Sequence, residues 1–114
     1  MSRGKDWQKL EDYIAESLKV IDKNCRPTKG SGNAGESGDI KNELNLHIEC
    51  KQRSTKNVTI NINVWNKLKQ EIPLHCDKLP VLCLENKDKK RFAVLDLDDF
   101  LQIFIQLYKI KLMI

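Results

Sequence analysis

In the stretch "GDIKNELNLHIECKQR", Gly38 to Arg53, an aspartate at position 39 lies ten residues ahead of the triplet Glu49, Cys50, Lys51. Facing carboxylates from adjacent strands hold Mg²⁺ while leaving coordination positions for water and phosphate oxygens. A cation held there lowers the pKa of a bound water and neutralises charge on a phosphate under attack. A lysine beside it orients that water and stabilises developing negative charge. Asp39, Glu49 and Lys51 therefore have the residue types for metal-dependent phosphodiester hydrolysis, with Mg²⁺ or Mn²⁺ as the cofactor. The competing reading is a solvated strand face with an ordinary ion pair, worth about 0.2–1 kcal/mol. Residue types alone leave the two level.

Glu85 to Lys87 repeats the acid-x-lysine spacing, but in a charged turn that fixes no common direction. The first triplet sits in an alternating run: Leu44, Leu46, Ile48 and Cys50 take one face, and Glu43, Asn45, His47, Glu49, Lys51 and Arg53 the other. Such alternation predicts a half-buried strand from Glu43, with Glu49 and Lys51 leaving the same face. Asp39 and Ile40 are expected to start a strand that pairs with it, "KNEL" supplying the turn. His47 shares the face of the triplet, where a solvent-edge position is favoured over a part in phosphate binding or proton transfer.

The remaining elements must carry that strand. Trp7, Leu10, Ile14, Leu18 and Ile21 recur at helical spacing, predicting a first helix capped by Asp6 and ending near Asn24, ahead of Pro27. On its wheel Glu11 borders the apolar stripe and Glu16 points away. Four of the five glycines fall between Gly30 and Gly38, which reads as a mobile loop. Val58, Ile60 and Ile62 suggest a short strand. Val64, Trp65, Leu68 and Ile72 suggest a helix with Trp65 in the core. "PVLCLE" suits a central strand and "RFAVLDL" its hairpin partner. Asp98 is expected to cap a last helix that is apolar almost all round, with Gln102, Gln106 and Lys109 as its narrow polar stripe. The predicted order is helix, three strands, helix, two strands, helix: a single α/β domain over residues 1–114, with a mixed central β-sheet flanked by helices.

"GD" at Gly38 and Asp39 followed by "ECK" at Glu49 to Lys51 resembles the PD-(D/E)xK nuclease superfamily, with Gly38 where the family name has proline. "RPTKGSG", Arg26 to Gly32, is similar to the segment between the first helix and the metal-binding aspartate of archaeal and phage Holliday-junction resolvases. The element order is similar over roughly residues 6–107, whereas the specific motifs cover residues 26–53. The resemblance implies a restriction-endonuclease-like core in which Asp39 and Glu49 bind divalent metal and Lys51 assists the attacking water. It also implies Glu11 as a helical metal ligand and Ser31 beside the scissile phosphate. Arg26, Lys29, Arg53 and Lys56 are the expected DNA contacts. The implied function is a structure-specific endonuclease on branched DNA. The alternatives are a nicking or restriction-type nuclease, or a non-catalytic nucleic-acid-binding protein on the same fold.

Net charge is +4, concentrated between residues 23 and 57, which hold 7 basic and 4 acidic side chains; a polyanionic partner is compatible with this. No apolar run approaches the roughly 18 residues of a membrane span. The start "MSRGKDWQKL" lacks a secretory apolar stretch, so a cytoplasmic protein with reduced thiols is expected. Cys25, Cys50, Cys76 and Cys83 contain no CxxC pair, and His75, Cys76 and Cys83 match no common zinc spacing. These cysteines are expected to bind no metal and form no disulfide. The last helix carries more apolar surface than so small a core can cover, and a two-fold homodimer built on it is expected.

Overall fold

The computed structural model describes residues 6–28 and 39–114. Ser31, Lys29 and the glycine-rich stretch from Gly30 to Gly38 lie outside those residues. The elements run α1 (Asp6–Leu18), β1 (Arg26–Pro27), β2 (Ile40–Lys41), β3 (Leu46–Gln52), α2 (Ile62–Gln70), β4 (Leu79–Glu85), β5 (Arg91–Val94) and α3 (Leu97–Met113). The α/β architecture is as predicted: β3, β4 and β5 form one mixed sheet in that order, with β3 and β4 parallel and β4 and β5 antiparallel. The expected central strand is central, and Leu82 and Leu84 within it are fully buried.

Helices cover the two faces of this sheet. Leu10 and Ala15 of α1 pack with Ile48 and Cys50 of β3, joined by Cys25 and Ile40. On the opposite face Trp65 and Leu68 of α2 pack with Leu82 and Leu84 of β4. Because Cys50 registers with Cys83 and Lys51 with Leu84, the odd-numbered residues of β3 share the α2 face.

Local polar groups override several periodic patterns. The first helix stops at Leu18 rather than near Asn24, leaving Ile21 exposed. The half-turned chain is held there by the buried Asp22 carboxylate, which accepts from the backbone N–H groups of Asn24 and Glu43 (3.2 and 2.8 Å). The strand expected at Val58 to Ile62 does not form. Asn61 instead caps α2, its side-chain oxygen accepting from the Asn63 and Val64 N–H groups. The last helix is capped by Asp96, not Asp98: the Asp96 carboxylate accepts from the Asp98 N–H at 3.2 Å. β3 begins at Leu46 rather than Glu43, because Asn45 has a positive φ of 62°. A residue in that region breaks the extended run, and asparagine tolerates it better than most.

The turn into β3 is built around one side chain. Asn42 Oδ1 accepts from the Leu44 and Leu46 N–H groups (3.0 and 3.2 Å), and its Nδ2 donates to the Ile40 and Leu46 carbonyls (3.1 and 2.9 Å). Removing a half-buried amide that serves four backbone groups should cost about 2 kcal/mol, given roughly 1 kcal/mol for a net hydrogen bond and more for a stranded partner. Urea denaturation of Asn42→Ala should show that loss. Asn45→Gly should stay within about 0.5 kcal/mol of the parent, since glycine accepts positive φ freely. Equal stability of the two variants would remove Asn42 as the organiser of this turn.

Candidate active site

β3 is an edge strand, and an edge presents unpaired backbone groups. β2 was expected to pair with it, but β2 is only two residues long and its ladder partner is β1. Among the described residues Asp39 closes the middle of the β3 edge, as Asn42 does its start. Its N–H donates to the Ile48 carbonyl at 2.7 Å, and its carboxylate Oδ2 accepts from the Cys50 N–H at 2.6 Å. The aspartate is thereby fixed across the chain from Glu49 by two backbone hydrogen bonds, leaving Oδ1 available for another partner.

Glu49 and Lys51 leave the same face of β3, as the alternation predicts, and Lys51 Nζ lies 3.2 Å from Glu49 Oε1. Both side chains are half-buried. Burial raises the Asp39 carboxyl above its ordinary range, opposed in part by the Cys50 N–H and the Lys51 ammonium. Glu49 is raised as well, first by burial and next by repulsion from Asp39, with Lys51 opposing. Two desolvated carboxylates that repel each other beside one lysine form an environment that a further cation relieves. The donor set suits a hard divalent ion that keeps several of its waters.

Glu11 is buried on α1 and Glu16 is exposed, as the wheel requires. Glu11 lies on the Cys50 side of the sheet, where its charge acts on the Cys50 thiol, whereas Glu49 leaves the other side. Among the described residues no three His, Cys, Asp or Glu side chains converge to hold a metal ion. In this conformation Glu11 is therefore not assembled with Asp39 and Glu49 into one ligand group. If the chain has the cleavage activity that the resemblance implies, Glu11→Gln should slow it several-fold, because the change alters packing directly beneath the strand on which Asp39 is docked. Glu16→Gln, exposed and paired only with Lys19, should be silent in the same rate assay.

His47 corrects the solvent-edge expectation. It is 1% exposed, and its Nε2 lies 3.1 Å from Glu71 Oε1, where Glu71 forms the C-cap of α2. The Glu71 charge reaches both site carboxylates and raises each. Glu71 was missed because nothing in sequence spacing connects a helix end to a strand twenty-odd residues earlier. The only signal was the position of His47 on the triplet's face, which demanded a polar partner once buried.

The basic residues lie on separate elements, Arg26 toward the start of β3 and Arg53 and Lys56 beyond its end. Arg26 is half-buried in β1, its Nη1 donating to the Pro27 carbonyl at 3.1 Å. Arg53 follows β3 and is half-buried, while Lys56 is exposed. Their loop is strapped to the β4–β5 turn: the Arg53 N–H donates to the Glu85 carbonyl, the Lys87 N–H to that of Thr55, and Asn86 Nδ2 to that of Lys56. No family model matches this chain, and no curated protein or solved structure matches it significantly.

The four cysteines are free thiols. The neighbouring Cys83 sulfur and burial push the Cys50 thiol up, which marks it as a neutral packing group rather than a nucleophile. No helix among the described residues is long and apolar enough to cross a membrane.

Proposed function

We propose that the chain is a divalent-metal-dependent endodeoxyribonuclease with a restriction-endonuclease-like core, acting on branched DNA as a homodimer. The observation that carries this reading is the docking of the Asp39 carboxylate on the Cys50 N–H, immediately beside the Glu49–Lys51 pair. An ordinary surface ion pair does not account for two carboxylates raised together by burial and mutual repulsion. Nor does it account for an edge strand closed by the aspartate that the resemblance names.

Asp39 and Glu49 would hold the ion, Mg²⁺ or Mn²⁺. When bound, it supplies a polarised water and charge neutralisation at the phosphate. The chain's own groups do the rest. The Cys50 N–H keeps Asp39 oriented, and Glu49 holds the Lys51 ammonium where it can donate to water or to a phosphate oxygen. Arg53 and Lys56, on a strapped loop, supply backbone phosphate contacts that position the strand without reading its bases. Arg26 extends these contacts from β1. Lys29 and Ser31 belong to the same proposal through the resemblance alone.

The test is a panel of linear, nicked, forked and four-way DNA substrates incubated with Mg²⁺ or Mn²⁺. Paired nicks in the four-way substrate at rates well above the linear duplex support the reading. Cleavage of nicked or linear DNA at equal rates assigns a nicking or restriction-type enzyme. Tight binding with no cleavage in either metal assigns a non-catalytic binding protein.

A further inference from the structure

The parallel strands β3 and β4 end side by side, at Gln52 and Glu85, so the loops that follow them leave the same end of the sheet. Those loops read "RSTKN", Arg53 to Asn57, and "NKDKKR", Asn86 to Arg91, and neither contains an apolar side chain. One buried side chain ties them together. Asn86 Oδ1 accepts from the Asp88 and Lys90 N–H groups, both at 2.9 Å, and its Nδ2 donates to the Lys56 carbonyl at 2.9 Å. The Lys87 N–H adds a bond to the Thr55 carbonyl at 3.0 Å. Lys89 completes the turn with a φ of 65°, a left-handed conformation uncommon outside glycine and asparagine. A turn bonded in this way fixes where its side chains start, which lowers the ordering cost of a ligand that engages several of them at once.

The charges on the two loops are strongly one-sided: Arg53, Lys56, Lys87, Lys89, Lys90 and Arg91 stand against Asp88. The buried carboxylate at this end of the sheet, Glu85, is already met by Arg91 Nε at 2.8 Å and Lys89 Nζ at 3.8 Å. Arg91 is engaged again by the Tyr13 ring, whose centre lies 4.2 Å from its guanidinium carbon. Among the described residues no carboxylate lies in ion-pair contact with Arg53, Lys56, Lys87 or Lys90. The three lysines are exposed and Arg53 is half-buried. An ordinary solvated surface intersperses charges of both signs. Here the fold gathers like charges from positions 30 residues apart in sequence and bonds their backbones together, against their mutual repulsion. A polyanion relieves that repulsion.

We infer that the strapped pair of loops is a contact surface for duplex DNA, in which Lys87 and Lys90 of the β4–β5 turn bind backbone phosphates beyond those taken by Arg53 and Lys56. The inference rests on the nucleic-acid reading above and names the face along which the duplex leaves the site. Arg53 follows Lys51 by two residues, about 7 Å of extended chain, which corresponds to about two base pairs at 3.4 Å each. Phosphates a few steps from the one at Lys51 therefore fall over the two loops. Each lysine ammonium is a point charge on a flexible stem, so these contacts position the duplex without reading its sequence. A lipid surface fits less well, because membrane-docking segments set apolar side chains beside their lysines and neither loop has one.

Fluorescence anisotropy with a labelled duplex in EDTA reads binding without cleavage. The logarithm of the association constant should fall linearly with that of salt concentration. Lys87→Ala/Lys90→Ala should flatten the slope by about 2 and weaken binding at least about tenfold at low salt. Lys109→Ala/Lys111→Ala removes the same charge from exposed positions on α3 and should leave the slope unchanged. All four lysines are exposed, so circular dichroism should show the native fold in both variants. An unchanged slope in Lys87→Ala/Lys90→Ala overturns the inference, and equal flattening in both variants overturns it in favour of net charge alone. Sedimentation with phosphatidylserine vesicles in preference to DNA, lost in Lys87→Ala/Lys90→Ala, overturns it in favour of lipid. A wild type that binds no duplex overturns it whatever the cleavage result. The expected slopes in a protein that cuts no substrate sustain this surface and sink the nuclease, whereas an unchanged slope with cleavage intact does the reverse.

Discussion

Asp39→Asn, Glu49→Gln and Lys51→Ala should each lower metal-dependent cleavage by at least about a hundred-fold, while binding of the same DNA changes little. In the proposed reaction each substitution removes a charge that would act at the reacting phosphate but few of the contacts that would position the duplex. Asp39→Asn should also make the metal-free protein more stable. Asparagine keeps an oxygen for the Cys50 N–H and removes one of two mutually repelling, half-buried charges. Gain of stability with loss of activity is the mark of a site group retained at a cost to the fold. A variant with near-normal turnover would falsify the assignment of its residue. A drop in melting temperature for Asp39→Asn would show that the carboxylate serves the edge of β3 rather than a ligand.

The second large effect is on pH dependence. Asp39 and Glu49 both have raised folded-state pKa values, so the folded chain holds their protons more tightly than the unfolded chain. Their contribution to metal-free stability is fully present below the ordinary carboxylate range and is lost as pH rises through the raised folded values. Metal requires the deprotonated pair, so its affinity should move in the opposite direction, failing on acidification sooner than an ordinary carboxylate pair would. Melting temperature against pH, with and without saturating Mn²⁺, tests both signs at once. The metal-induced rise should be several degrees at neutral pH and vanish in mild acid, and it should be absent throughout in Glu49→Gln. A rise independent of pH, or preserved in that variant, places the ion elsewhere.

How much of this was legible from the chain depends on the range of the interaction concerned. The β3 face, the hairpin of β4 and β5, and the α2 stripe follow from periodicity, because neighbours along the strand or helix decide which side meets the core. The common face of Glu49 and Lys51 was readable for the same reason. Asp39 was placed near β3, but its role as the strand's edge partner was not, since the expectation of a regular two-strand ladder overlooked how much of the turn Asn42 consumes. His47 was readable on the triplet's face, but its burial and its partner Glu71 were not, because they belong to elements joined only by tertiary packing. Helix boundaries failed wherever a side-chain acceptor outcompeted the apolar pattern, as Asp22, Asn61 and Asp96 each do. Glu11 shows the limit of a wheel: it gave the correct burial but not which side of the sheet the side chain would share.

The 2.6 Å contact between the Cys50 N–H and Asp39 also gives the protein a natural spectroscopic reporter. A backbone proton donated to an ionised carboxylate is strongly polarised, and its resonance should lie well downfield of other strand amides. Protonation of that oxygen, or sharing of its electron density with a cation, withdraws the polarisation and moves the line upfield. A single amide in a ¹⁵N-edited spectrum would therefore follow the occupancy of the site in the absence of DNA, residue by residue and without any label placed near the chemistry.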